Sequence, residues 1–167
     1  CNELTSIVIG DSVTIIGNEA FKDCNRLTSV TIGESVTTIG DGAFQYCFAL
    51  ESVNIPKTVT TIGDSAFYCC HGLTSVTIPL NVSVIGDSAL SNCSNLTDII
   101  VEKNNKYYSN DEYGVLFDKE KMSLIQYPDG NRRTSYTIPD SVVTIKEGAF
   151  RSPDNLANIM VDKNNKF

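Results

Sequence analysis

The sequence predicts an α/β solenoid of stacked coils, and three observations predict it. Leucine returns every 23 residues, at Leu4, Leu27, Leu50, Leu73 and Leu96. Two apolar residues follow each leucine at fixed spacing: Ile7 and Ile9, Val30 and Ile32, Val53 and Ile55, Val76 and Ile78, Ile99 and Val101. A second block keeps the same period. It reads Val13, Ile16, Gly17, Ala20, Phe21, then Val36, Ile39, Gly40, Ala43, Phe44, then Val59, Ile62, Gly63, Ala66, Phe67. Val82, Ile85, Gly86, Ala89 and Leu90 follow, and a late copy at Val142, Ile145, Ala149 and Phe150 carries Lys146 where the glycine stood. Self-similarity at a fixed period of roughly 20–50 residues is the mark of a repeat architecture, in which each unit buries its apolar face only against its neighbours.

Each element of one repeat, Leu27 to Ala49, has its own reason. Val30, Thr31 and Ile32 alternate apolar and polar, the period-two pattern of a half-buried strand. Gly33 follows, and Pro56, Pro79 and Pro139 take that place in other copies, so the strand ends and the chain bends. Val36 and Ile39 suggest a second, shorter extended segment, and Gly40 the next corner. Asp41 is placed to cap a short helical turn holding Ala43 and Phe44, and Cys47 points back into the coil. Successive strands, about 4.8 Å apart, are expected to form one long parallel sheet.

Five of the six cysteines, Cys1, Cys24, Cys47, Cys70 and Cys93, share one position of the period, and only Cys69 is off it. Stacked side chains pointing the same way are poorly posed for disulfides, and a small thiol suits a crowded inner slot. Buried free thiols are therefore expected, not a disulfide framework.

The array is interrupted once. From Val101 to Ile138 is 37 residues, one period plus 14. Val115 to Phe117 and Leu124 to Tyr127 read as two strands joined by the polar link Asp118 to Lys121, so the longer repeat, residues 102–137, is expected to carry a protruding hairpin in place of its helical side. The Lys-Asn-Asn-Lys turn at 103–106 reads as a solvated loop. Residues 1–167 make a single solenoid, and a fragment of a longer array is expected: Val161 to Phe167 repeats Val101 to Tyr107 60 residues on, and neither end has a polar capping unit.

Composition excludes several functions. The net charge of −7 and the lack of a long basic run argue against nucleic acid, whose phosphates need clustered Lys and Arg. No run of about 18 apolar residues exists, so no transmembrane helix and no direct membrane insertion is expected. His71 is the single histidine. Beside Cys69 and Cys70 it supplies too few ligands for a tetrahedral metal site, and no third group orients it as the base of a nucleophile. Asp41, Asp64 and Asp87 sit at equivalent positions, where capping explains them better than acid–base work. No catalytic residue, metal or cofactor is expected.

The phrase Leu-Thr-Ser-Val-Thr-Ile-Pro at 73–79, with Ser-Val-x-x-Ile-Gly-x-x-Ala-Phe-x-x-Cys-x-x-Leu at 35–50, resembles the BspA-like leucine-rich repeat family. So does the longer repeat from Tyr113-Gly114-Val115-Leu116-Phe117 to Leu124-Ile125-Gln126-Tyr127-Pro128. The resemblance covers essentially the whole chain. Leu90 in place of phenylalanine, Pro153 in the cysteine position, and Val8 and Ile100 in place of polar strand residues depart from the pattern. The resemblance implies a right-handed superhelix and a non-enzymatic protein of the bacterial or protozoan cell surface, or a secreted one, that adheres to host proteins or other cells.

The outward strand positions are the natural binding face. Ser29, Ser52, Ser75 and Asp98 form one column, continuing from Ser6. Thr31, Asn54, Thr77 and Ile100 form the next, continuing from Val8. This face is hydroxyl-rich and lacks the aromatic and Arg anchors of hot spots, so Tyr107, Tyr108 and Tyr113 of the longer repeat are candidate anchors, with core packing an equal alternative. The expected partner is a protein or another cell-surface ligand; an accessory or spacer solenoid attached to a surface enzyme is the alternative.

Overall fold

The computed structural model describes residues 3–165. Each of the first four coils carries two strands: β1 (Ser6–Ile9) and β2 (Ile15–Ile16), β3 (Ser29–Ile32) and β4 (Thr38–Ile39), β5 (Ser52–Asn54) and β6 (Thr61–Ile62), β7 (Ser75–Ile78) and β8 (Val84–Ile85). β9 (Asp98–Val101) opens the irregular coil, which continues as β10 (Tyr108–Asn110), β11 (Leu116–Asp118) and β12 (Ser123–Gln126). The array resumes with β13 (Ser135–Ile138), β14 (Thr144–Ile145) and β15 (Asn158–Val161).

Strands 23 residues apart pair in parallel and in register, Ser6 with Ser29 and Ser29 with Ser52. The main sheet is segmented rather than continuous, as β1-β3-β5, β7-β9 and β13-β15. Asn54 stands where the flanking coils carry Thr, and β5 ends there; asparagine is depleted in strands, which β-branched residues favour. A second ladder, β2-β4-β6-β8, lies on the other side of the coil. Between them sit Leu27, Leu50, Leu73, Leu96, Ile39, Ile62, Phe44 and Phe67, all buried in one core, with Phe21, Phe44 and Phe67 stacked at 5.3 and 5.4 Å.

No helix forms among the described residues, which overturns the expected helical turns and with them the α/β class; the fold is a parallel β-solenoid. The backbone bonds give the reason. The N–H groups of Ala43, Gln45 and Cys47 close tight turns on the carbonyls of Gly40, Gly42 and Phe44, at 3.0–3.2 Å. The alternate N–H groups, of Gly42, Phe44 and Tyr46, donate instead to Asp64, Ala66 and Tyr68 of the next coil, at 2.8–2.9 Å. Gly42 and Tyr46 hold positive φ (59° and 62°) to turn those groups outward, as Ser65 and Cys69 do one coil later. A helix would keep every N–H within its own coil. Here the third side is a ladder of turns that ties coil to coil.

The aspartates cap no helix. Asn18 Oδ1 accepts the N–H of Asp41, Asp41 Oδ1 that of Asp64, and Asp64 Oδ1 that of Asp87, at 2.8–2.9 Å. This ladder explains the glycine before it. A Cβ at Gly40 would lie 2.5 Å from Asn18 Oδ1 and 2.7 Å from its nitrogen, and Gly63 and Gly86 meet Asp41 and Asp64 as closely. Lys146 keeps the same backbone bond, donating to Leu124 just as Gly86 donates to Ile62, over a coil that carries Gln126 where the coil beneath Gly86 carries Asp64.

The cysteine ladder is buried and free, as expected, at Cys24, Cys47, Cys70 and Cys93; Cys1 lies outside the described residues. The thiols of Cys47, Cys70 and Cys93 donate to the carbonyls of Phe21, Phe44 and Phe67 of the preceding coil, each at 3.2 Å. Burial pushes the Cys47 and Cys93 thiols up to about 12, and Cys70 in the same direction. Cys69 is also buried, although its neighbour Cys70 holds the ladder position, and it accepts a bond from Asn92 Nδ2 at 2.8 Å.

The longer repeat does not protrude. β10, β11 and β12 form an antiparallel meander whose last strand pairs in parallel with β14, so it fills a rung of the stack. Successive residues of β11 face opposite ways. Leu116 joins the array core, while Phe117, with Val115, joins a second core with Tyr127, Tyr136 and Val142. Tyr127 takes the phenylalanine place, stacking on Phe150 at 5.4 Å and donating its N–H to Ala149 at 2.8 Å.

Candidate binding surface

The meander breaks both ladders, and side chains close the strand edges it leaves. Tyr108 Oη accepts the N–H of Ile85 at 2.9 Å and donates to the Ser83 carbonyl at 3.2 Å, which caps β8. Asn110 Oδ1 accepts the N–H of Val101 at 2.9 Å, and the Gly114 carbonyl accepts that of Ile99 at 3.2 Å. Within the Lys-Asn-Asn-Lys turn, Asn105 is fully buried, not part of a solvated loop. Its Nδ2 donates to Pro79 and Val82 while its Oδ1 takes the N–H groups of Tyr107 and Tyr108. Asn165 Nδ2 makes the equivalent bonds to Pro139 and Val142. Asp129 is buried too, accepting the N–H groups of Cys93 and Ser152 across the insert, and its burial raises the carboxyl above the ordinary range.

On the main sheet the predicted columns stand in register: Ser29 with Ser52, Thr31 with Asn54, Ser75 with Asp98, Thr77 with Ile100. Ser29, Thr31, Ser52, Asn54, Ser75 and Thr77 are exposed, and among the described residues their side chains make no hydrogen bond. The hydroxyls at strand entrances behave differently. Thr28, Thr37, Thr60, Ser83 and Thr97 each donate to a carbonyl one coil back, at 3.0–3.3 Å. Asp98 is half-buried against Gly114, whose missing Cβ leaves room for its carboxylate, and Ile100 is 42% exposed. A depression of about 390 Å³ opens where β5 and β7 fail to pair, lined by Ser52, Asn54, Lys57, Thr77 and Glu102 among others.

The three tyrosines do not form one cluster. Tyr107 is 50% exposed beside Leu80, Asn81 and Ser83, on the side of the second ladder. Tyr108 is half-buried with its hydroxyl committed to β8. Tyr113 lies by the resumed main sheet, under the Arg133 guanidinium at 3.7 Å and edge-on to Tyr136. One aromatic group escaped the sequence reading. Tyr46, Phe48, Tyr68 and His71 meet along the turn ladder, with Phe48 and His71 stacked at 5.3 Å. The 23-residue step from Phe48 to His71 was the available signal. His71 Nδ1 lies 3.3 Å from Ser94 Oγ. No group of three or more His, Cys, Asp or Glu residues is placed to hold a metal ion among the described residues, and no helix there is long and apolar enough to cross a membrane.

Residues 1–114 and 129–167 match the family profile described as BspA type leucine rich repeat region, in six copies. The chain belongs to this family. The unmatched stretch, 115–128, is the part of the insert that departs from the repeat. A leucine-rich repeat protein from Eubacterium ventriosum is similar in structure at a TM-score of 0.78 and 31% identity, over 93% of this chain and 47% of that one. A leucine rich cell surface protein from Faecalibacterium prausnitzii matches at 0.66 and 28%, over 94% and 60%. The pneumococcal vaccine antigen PcpA shares the fold at 0.80 and 21%, over 96% and 45%. The chain thus spans about half the length of these relatives. No curated protein matches it.

Proposed function

We propose that this BspA-type solenoid is a non-catalytic binding or adhesion module of a cell-surface or secreted protein, and that the outward face of its main sheet meets a protein partner. One observation carries the reading. Among the described residues, hydroxyl and amide side chains along Ser29–Ser52–Ser75 and Thr31–Asn54–Thr77 leave their hydrogen-bonding capacity unused, whereas the strand-entrance hydroxyls of Thr28, Thr37, Thr60 and Thr97 bond to the backbone. A parallel array of free donors and acceptors suits a partner that contacts several coils at once, each contact weak and the total set by the number of coils. The description of the Faecalibacterium relative as a cell surface protein supports the location. The six side chains of these columns are uncharged and Asp98 continues the first, a surface better suited to a protein than to a phosphate backbone.

The test is a binding screen of the immobilised chain against extracellular-matrix proteins and intact cells, repeated with Ser52→Lys and Thr77→Lys together. Both positions are exposed, so the fold survives. Saturable binding weakened about tenfold or more by the pair supports this face. Binding that the pair leaves untouched removes this face, and binding to nothing favours a spacer or accessory role.

A further inference from the structure

The aspartate ladder ends in a free acceptor. Each member takes the N–H of the next coil, but Asp87 faces the insert, and its carboxylate accepts no bond among the described residues. It lines a cleft of about 270 Å³ between β8 and β12, together with Tyr107, Asp118, Ser123, Lys146 and Glu147. Asp118 holds the N–H groups of Met122 and Ser123 through Oδ1 alone, which leaves Oδ2 available. On the other side of Tyr107 lies a second depression of about 490 Å³, lined by Thr60, Leu80, Asn81, Ser83 and Lys106. The half-exposed Tyr107 borders both.

We propose that these two depressions bind consecutive sugar units of a neutral glycan, with Tyr107 as the stacking platform. This goes beyond the sheet-face reading, and either can fail alone. The chemistry selects the ligand. A sugar ring presents an apolar face of C–H bonds to an aromatic ring and a rim of hydroxyls that both donate and accept. The cleft matches this with Tyr107 and the Ile85 and Ile125 side chains on one hand, and on the other with carboxylates that accept and an ammonium that donates. Three carboxylates disfavour an anionic glycan, and Lys146 among them disfavours a simple cation. An extended peptide cannot add to β8, because Tyr108 Oη already occupies the N–H of Ile85 and the carbonyl of Ser83. That same pair of bonds holds the Tyr108 ring as a rigid side of the cleft.

The experiment is saturation-transfer NMR and calorimetry with the whole chain and a panel of tetrasaccharides. The neutral members are a β-1,4-glucan, an α-1,4-glucan, a β-1,4-mannan and a β-1,4-N-acetylglucosamine oligomer, and tetragalacturonate is the acidic control. At least one neutral member is expected to bind saturably. Tyr107→Ala should weaken it about tenfold or more, the loss of one aromatic anchor, while Tyr107→Phe retains it. Asp87→Asn should weaken it by about threefold or more, since an amide nitrogen replaces one acceptor oxygen. Tyr113→Ala, on the other side of the coil, should leave it unchanged. Unaltered circular dichroism and urea midpoints separate these effects from unfolding. No binding by any neutral member, tighter binding of the acidic control, or binding indifferent to Tyr107→Ala and Asp87→Asn overturns the proposal. Binding of a matrix protein that survives Tyr107→Ala, with no oligosaccharide bound, overturns the glycan site and leaves the sheet face standing.

Discussion

Gly17 and Gly63 occupy the same place in the repeat, yet alanine should act oppositely at the two. Neither glycine has positive φ, so backbone conformation does not decide the matter. Contact does. A Cβ at Gly63 would meet Asp41 Oδ1, lie 2.6 Å from the Asp41 nitrogen and 2.7 Å from the Gly40 carbonyl carbon. Carbon contacts settle near 3.5–4.0 Å, so two coils must separate by roughly 1 Å along the stack. Overpacking of this kind costs about 1–3 kcal/mol. The Asp41–Asp64 bond, 2.9 Å, lies at the point of contact and its loss adds about 1 kcal/mol. Gly63→Ala should therefore destabilise by about 2–4 kcal/mol. At Gly17 nothing lies within 4 Å of the added carbon. There the loss of unfolded-chain entropy stabilises by about 0.4–1 kcal/mol. In urea, with a slope of about 2 kcal/mol per molar, Gly63→Ala lowers the midpoint by about 1–2 M and Gly17→Ala raises it slightly. Equal shifts in the two variants would refute the account of why the glycine recurs.

Two hydroxyls in the second core should also diverge. Among the described residues Tyr127 Oη is buried without a partner, so Tyr127→Phe should be neutral or stabilising by about 1 kcal/mol in thermal or urea unfolding. Tyr136 Oη donates to Asp111 Oδ2 at 2.8 Å, and Tyr136→Phe should destabilise by about 1–3 kcal/mol in the same assay. The buried thiols make stability fall at high pH. The Cys47 and Cys93 values are raised from 9.0 to about 12 on folding, so the native state holds these protons more tightly than the unfolded one. Their contribution is complete below about 9 and lost as pH rises towards about 12, and Cys47→Ala with Cys93→Ala should flatten that slope in alkaline unfolding curves. At neutral pH the ladder thiols should react with a disulfide reagent only after denaturation; rapid native labelling would contradict their burial.

The period, the strand positions and the inner residues were legible because burial acts on every copy alike: Leu27, Leu50, Leu73 and Leu96 are all fully buried. The turn side was not. Asp41-Gly42-Ala43-Phe44 carries the signals of a helix start, but the competing use of those N–H groups, donation to Asp64 and Ala66, exists only once the coils are stacked. Local signals cannot register a partner 22 residues away. The two hairpin strands were readable as short apolar runs joined by the polar link Asp118 to Lys121, whereas β10, with the polar sequence Tyr108-Ser109-Asn110, was not, since it is held by pairing with Leu116–Asp118 and not by an apolar face. The tyrosines were visible as candidates, but their dispersal over two sides of the coil depends on how the insert is threaded.

That threading bears on function. Inside the regular array, stacking uses up most of the polar chemistry: aspartates take N–H groups, entrance threonines take carbonyls, thiols take the phenylalanine carbonyls. A ligand must therefore bind either where side chains face outward from the strands or where the period fails. The insert is such a failure. It satisfies the strand edges with Tyr108 and Asn110, so the break is closed to added strands, yet it leaves Asp87 without the donor that its counterparts have. A protein built from identical coils acquires a distinct site most readily where a longer repeat interrupts the ladder. Residues 115–128, the stretch outside the family pattern, supply Asp118, Ser123 and Ile125 to that site. Shortening this repeat to a regular 23-residue coil should restore the donor to Asp87 and abolish the cleft, while the outward columns of Ser29, Ser52 and Ser75 remain as they are.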